Sequence, residues 1–202
     1  MPFASLHNFF SRYHPQTFAA KNWTRAAVLC PLFYDENQEL KILLIKRSQK
    51  VSSHKGEISF PGGARDSQDL SLTETCLRET EEEIGIPPTS ITILGLLDEV
   101  KTTSGYLVTP FLGVIDGAHP LQLSRDEVEE IIIVGLDELL NPGNQIDFYY
   151  FNGRLLQPQI AFRCGRQVIW GATARIIIRL LELMQTHGLH PRPQTRKFHL
   201  AS

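Results

Sequence analysis

The chain has 202 residues, 42% of them hydrophobic and 21% charged, with a formal net charge of −2 and a mean hydropathy of −0.13. That length suits one domain with a substantial core, and the near-neutral charge gives no electrostatic case for general nucleic-acid binding. No apolar run approaches the ~18 residues that suggest a membrane span; the most hydrophobic helical stretch, residues 176–184, is broken by Arg179 and Glu182. The N-terminus lacks a basic start followed by an apolar run, so a secretory signal is not expected. Cys30, Cys76 and Cys164 are few, odd in number and far apart. They give no zinc spacing or disulfide framework, which makes a reducing, cytoplasmic setting the expectation and buried apolar packing their expected role.

In chain order, residues 1–22 read as a polar lead-in with aromatic anchors. Residues 26–34 and 41–47 are rich in β-branched and aliphatic side chains around a turn containing Asp35, Glu36 and Asn37, which predicts a hairpin. A polar stretch, 48–57, leads to the turn Phe60, Pro61, Gly62 and Gly63. Ser71 and Glu74 form an S-x-x-E helix start. The helix should stop at Gly85, ahead of Pro87 and Pro88. Residues 91–100, 106–115 and 127–134 then read as strands, the last followed by a short helix at 136–140. Weaker strand patterns occupy 146–151 and 157–162. Trp170 introduces a long helix, 172–186, and the tail from His190 should fray. No repeat or inter-domain linker interrupts this pattern, so the economical architecture is a mixed sheet between helices.

On a helical wheel of ~100° per residue, Leu72, Cys76, Leu77, Thr80 and Ile84 share an apolar sector. Glu79 and Glu83 lie at one border of it, Glu82 further round beside Arg78, and Glu81 on the opposite border. Like charges at i,i+4 spacing cost a few tenths of a kcal/mol, so stability alone does not call for this crowding. A divalent cation reverses the sign of the interaction, and carboxylate oxygens suit a hard ion such as Mg²⁺. Arg78 is spaced to hold Glu82 at i,i+4. Gly62 and Gly63 allow the backbone to approach a ligand closely, and a carbonyl there adds one more oxygen. A Glu-rich helix by itself is usually a solvated face, and a Pro-Gly-Gly by itself is usually a turn; their combination at this spacing is far more specific.

The segment 60–86 resembles the Nudix box, G-x5-E-x7-R-E-U-x-E-E-x-G-U, with Gly63, Arg78, Glu79, Glu82, Glu83, Gly85 and Ile86 on its positions. Asp69 stands where the first Glu belongs, one extra residue separates it from Arg78, and Thr80 fills the first apolar slot. Upstream, residues 43–48, Gly56 and residues 60–63 resemble the coenzyme A pyrophosphatase signature, with Ile45 in place of its Thr and Ser52 in place of its Arg. Asp66 and Asp69, the run 104–110, the segment Asp126, Glu127 and Val128, and the segment Trp170 to Ala174 continue that similarity. It spans roughly residues 26–183.

The resemblance implies an α/β (α+β) fold, a Nudix-like mixed β-sheet sandwiched between helices, with a lead-in at 1–22, the Nudix hydrolase domain at 23–188 and a polar tail at 189–202. It implies metal-dependent hydrolysis of a pyrophosphate bond, with Mg²⁺ as cofactor and Mn²⁺ as substitute. Glu79, Glu83, Glu82 and the Gly63 carbonyl are the implied metal ligands. Glu82 is the candidate general base, with Arg78 and Glu127 completing the catalytic set, while Arg47, Phe60 and Tyr106 are candidate substrate contacts. The expected partner is a small molecule, coenzyme A or another nucleoside diphosphate derivative, with no nucleic acid or membrane. The oligomeric state stays open, a homodimer among the options. Three other readings stand beside this one: a Nudix hydrolase for ADP-ribose or dinucleotide polyphosphates, a non-catalytic nucleotide-binding regulator of the same fold, and a structural domain whose acidic helix faces solvent.

Overall fold

Strands that are apolar on both faces must be covered on both faces, and two such strands organise this chain. A computed structural model describes residues 3–51, 54–115, 120–151 and 155–189. In it β1 (Thr24–Tyr34) sends Ala26, Cys30, Leu32 and Tyr34 into one core and Ala27, Leu29 and Phe33 toward the other. β2 (Leu40–Arg47) alternates in the same way, with Ile42 and Leu44 on the first side and Leu43 and Ile45 on the second.

Around them lie β3 (Ile58–Ser59), β4 (Gly62–Ala64), β5 (Ile91–Leu96), β6 (Val100–Lys101), β7 (Tyr106–Ile115) and β8 (Val128–Gly135), which complete an eight-stranded sheet. β1 and β7 run parallel from Thr24↔Tyr106 to Leu32↔Val114, while the other pairings are antiparallel, so the sheet is mixed. On one face sits α2 (Leu72–Ile84), which packs Cys76 against Ala27, Leu29 and Phe111, and Ile84 against Phe33, Leu43 and Ile45. The opposite face is covered by α1 (Ala4–Phe10), α3 (Leu136–Leu140) and α4 (Gly171–Thr186), together with a three-stranded sheet of β9 (Gln145–Phe151), β10 (Leu156–Cys164) and β11 (Gln167–Ile169). The expected mixed sheet between helices is the observed fold.

Two details differ from the sequence expectation. The strand expected over 91–100 is two strands, because Asp98 and Glu99 leave the ladder to bind the N-terminal segment. Asp98 accepts hydrogen bonds from the Tyr13 hydroxyl (2.7 Å), the Gln16 N–H (2.8 Å) and Arg179 (2.7 Å), and Glu99 accepts from the Phe18 N–H (2.7 Å). The lead-in is also tied to the core, since α1 lies on β5 and its Leu6 and Phe10 are buried in the core cluster that also holds the α4 side chains. Cys30, Cys76 and Cys164 are buried thiols. No helix among the described residues is long and apolar enough to cross a membrane. The tail from His190, and Ser52, lie outside the described residues.

The site follows from how β1 divides its partners. Its first half pairs with β4 (Ala26↔Ala64, Val28↔Gly62), and its last residues pair with β2 (Leu32↔Ile42). Between these two ladders β1 and β2 diverge, leaving a wedge lined by backbone and edged by α2.

Candidate metal and substrate site

The phase of α2 decides which glutamates face the wedge. Its start is fixed by the Ser71 hydroxyl, which accepts from the Glu74 N–H at 3.1 Å, while the Glu74 carboxylate accepts from Leu70 N–H at 2.6 Å. The reciprocal arm of the capping box therefore lands one residue earlier than the motif predicts. The helix ends at Gly85, whose left-handed φ of 76° closes a bond from its N–H to the Glu81 carbonyl. Between these caps Thr80, Cys76 and Ile84 are buried, Glu83 is 2% exposed, and Glu81 and Glu82 point to solvent.

Glu83 and Glu79 meet the glycine turn directly. The Gly62 N–H donates to Glu83 Oε2 at 2.9 Å, and Arg47 Nη1 lies 3.4 Å from Glu83 Oε1. A Cβ on Gly63 would stand 2.5 Å from the Glu79 carboxyl group. Burial raises the proton affinity of both carboxyls. Glu83 is pushed up to about 8, because desolvation and the charges of Glu79 and Glu127 outweigh the Gly62 N–H and Arg47. Glu79 moves up for the same first reason, against the pull of Arg78. Glu127 is exposed at the rim, yet its charge is felt by buried Glu83 and by half-buried Glu79.

Arg78 organises the outer side. It donates to both oxygens of Asp69 at 3.0 Å, to Glu79 at 2.9 Å and to Glu82 at 2.9 Å. Asp69 also accepts from the Thr75 hydroxyl (2.8 Å) and the Asp66 N–H (2.9 Å). The Arg78 guanidinium, foremost, and these two donors hold its carboxyl well below the usual carboxylate range. The shorter acid and the extra residue are accommodated by a turn closed through Asp69 N–H to Asp66 carbonyl.

Among the described residues no group of three or more His, Cys, Asp or Glu side chains is gathered as a ready metal cage. Glu79 and Glu83 form a pair at the turn, and Glu82 is drawn aside by Arg78. The donor set still suits a hard divalent ion: two desolvated carboxylates beside a glycine backbone so close that a single methyl group would fill the gap.

Beyond the turn opens a cavity of about 340 Å³. Val28, Phe60, Tyr106 and Val108 give it apolar walls, and Arg47, Gly62 and Gly63 join it to the glutamate pair. Of the three expected substrate contacts, Arg47 and Tyr106 line this space. Phe60 also borders it, but is only 2% exposed and belongs to the core. Arg47 Nε is buried without a hydrogen-bond partner. Lys46 is turned away to Glu129 at 2.6 Å. Sequence reasoning did not assign the rest of the lining, notably His54, Ser59, Tyr150, Gln157, Trp170 and Arg175. The signal for Trp170 was present in the segment 170–174; His54 lay in the polar stretch 48–57. His54 bonds Glu57 (2.8 Å) and Ser104 (3.2 Å), linking two loops at the cavity edge.

A glycine turn docked on the acidic border of a helix, over a mixed sheet flanked by helices, is the architecture of a Nudix domain. Residues 23–152 match the NUDIX domain family, and the chain belongs to it. NudL of Photorhabdus laumondii, described as an uncharacterized Nudix hydrolase, is 35% identical over 189 residues that cover 90% of this chain and 98% of its own. NudL of Salmonella newport is 34% identical over 193 residues, covering 93% and 97%. Among solved structures, a MutT/nudix family protein from Enterococcus faecalis superposes with a TM-score of 0.55 at 19% identity, covering 87% of this chain and 66% of that one. The Nudix hydrolase RenU of M. smegmatis gives 0.54 at 20% identity, covering 81% and 86%. These two likenesses concern the fold. Family membership brings the general activity with it, hydrolysis of a pyrophosphate bond in a nucleotide-derived substrate.

Proposed function

We propose that the chain cleaves coenzyme A or a close derivative at its pyrophosphate, releasing 3′,5′-ADP and 4′-phosphopantetheine, with Mg²⁺ or Mn²⁺ as cofactor. The observation that carries this reading is the docking of Glu83 on the Gly62 N–H with Glu79 packed against Gly63. Two carboxylates are thereby desolvated side by side, which is unfavourable unless a cation joins them. The coenzyme A assignment draws support from the signature residues around Leu43 to Ser48 and Phe60 to Gly63, and from an apolar cavity wall suited to a pantetheine arm.

In this reading Glu79, Glu83 and the Gly63 carbonyl hold the ion, with Glu82 as a further ligand. A bound divalent ion neutralises phosphate charge and lowers the pKa of water. Glu82 is the general base; Arg78 keeps it in one rotamer and leaves its carboxylate open to solvent. Arg47, whose Nε lacks a partner, faces a substrate phosphate. Tyr106 and the edge of Phe60 flank the organic part of the substrate, and Glu127 reaches over from the rim. The arrangement favours an enzyme over a non-catalytic binding module, because a mere nucleotide binder has no use for paired buried acids.

Incubation of the protein with coenzyme A and Mg²⁺ or Mn²⁺ should release 3′,5′-ADP; release from ADP-ribose or NADH alone would transfer the activity to another nucleoside diphosphate derivative. Glu83→Gln should lower kcat by about a hundredfold or more, whereas Glu81→Gln, on the solvent side, should stay within about twofold. Equal losses in the two variants would contradict the assignment of the helix face.

A further inference from the structure

The cavity carries a second basic group that the pyrophosphate chemistry does not use. Arg175, in the second turn of α4, lines the cavity and donates from Nη2 to the Lys101 carbonyl at 2.8 Å. It has no ion-pair partner among the described residues. The acids that line these surfaces with it are engaged elsewhere: Asp98 with Arg179 (2.7 Å), Glu182 with Arg179 (3.3 Å), Glu99 with Arg25 (2.7 Å) and Glu57 with His54 (2.8 Å). The neighbouring Lys101 ammonium is turned onto the Phe18 ring at 4.1 Å. Arg175 is thus the cation left facing this end of the cavity. Its environment differs from that of the paired arginines: desolvation lowers its pKa from the ordinary value, while carboxylates raise that of Arg78.

The register of the sheet gives the separation. Gly63 pairs with Ala27 on β1, β1 pairs with β7, and β7 pairs with β6 through Lys101↔Leu107. Three strand spacings and two residues along the sheet separate Gly63 from Lys101, on the order of 15 Å. That is too far for the Arg175 guanidinium to share the scissile diphosphate held at the glycine turn. The side chain is exposed at the cavity mouth, with no carboxylate pairing its charge, so it is open to charge-assisted hydrogen bonds from an incoming anion.

We infer that Arg175 is a specificity-determining residue that binds a second, non-scissile anionic group of the substrate. The inference rests on the coenzyme A reading above. Its chemistry is that of a phosphate monoester or a carboxylate, which coenzyme A compounds carry either as the 3′-phosphate or as the free acid of a dicarboxylic acyl group. Thr102 and Ser104 place hydroxyls on the same wall, and hydrogen bonds from them would complement the charge.

The test is binding by calorimetry without divalent metal, so that no turnover is needed, for two ligand pairs: coenzyme A against 3′-dephospho-coenzyme A, and succinyl- against butyryl-coenzyme A. The wild-type protein should bind the anionic member of one pair about tenfold to a hundredfold more tightly. Arg175→Ala should bring that ratio close to one, and Arg175→Lys should retain part of it. The pair that responds identifies the source of the anion. Because the ratio is the readout, a general loss of fold, which affects both members, is not mistaken for the effect. Ratios near one in the wild type, or unchanged in Arg175→Ala, would overturn the subsite and leave the coenzyme A reading standing. Failure of all four ligands to bind the wild type would remove that reading and the subsite together.

Discussion

Gly62 and Gly63 are adjacent, but different forces fix them. Gly62 has a φ of 143°, and a Cβ there would strike the Ala27 carbonyl oxygen. Gly63 has no such positive-φ demand, and the atoms nearest to a Cβ there all belong to the Glu79 carboxyl. Gly62→Ala should therefore destabilise the fold by about 2 kcal/mol. Gly63→Ala should unfold near the wild-type temperature while losing metal-dependent turnover, because the methyl group displaces Glu79. Equal stability losses would show that the two positions are not separable. Asp69 makes a second case. Its carboxyl is held below the usual range chiefly by Arg78, so its stabilising contribution is complete above the unfolded-state pKa of about 4. It fades as pH falls from there through the folded value. Asp69→Asn should cost on the order of 2 kcal/mol at neutral pH, and the gap in urea unfolding should narrow in strong acid; a gap that stays constant with pH would assign the effect to packing. From sequence, Asp69 looked like a departure from the motif. Its role was hidden because reaching Arg78 depends on a turn, and motif spacing does not encode turns.

At the scale of elements, legibility tracked burial. β1, β2 and β7 were readable because covering on both faces demands unbroken runs of β-branched and aliphatic residues, and α2 was readable through its caps. β3, β4 and β6 are two or three residues long, too short for any period to show. The strand expected over 91–100 was broken by Asp98 and Glu99, whose partners lie about eighty residues away in sequence. β9 and β10 form a hairpin of mixed character. Tyr150, Gln157 and Gln159 face the cavity while Tyr149, Phe151, Leu156 and Ile160 face outward and are exposed, an inversion of the usual pattern that weakens the sequence signal. The short α1 looked like a polar lead-in, yet Leu6 is fully buried against the same core as α4. Leu6→Ala should then cost about 2–5 kcal/mol in chemical denaturation; a change below 1 kcal/mol would mean that α1 merely rests on the surface.

For the molecule as a whole, the glutamate pair, the glycine turn and the cavity come from segments far apart in sequence. The contiguous part, 60–86, stands out in sequence as one segment; the segments 104–110 and 170–174 stand out as well, but that they meet one cavity with the loop at 54–57 and the hairpin depends on the tertiary fold. The N-terminal segment also touches the last helix and its end. Tyr13 donates to Asp98 and accepts from Arg179 at 3.0 Å, and the Phe9 ring lies 4.5 Å from that of His187. This closure has a consequence for synthesis. α1 leaves the ribosome before the strand it packs on, β5, and the core that takes up Leu6 and Phe10 is complete only once α4, which begins at Gly171, has emerged. Until then that core is incomplete, so the growing chain keeps part of its apolar surface open to water and closes it only late in synthesis.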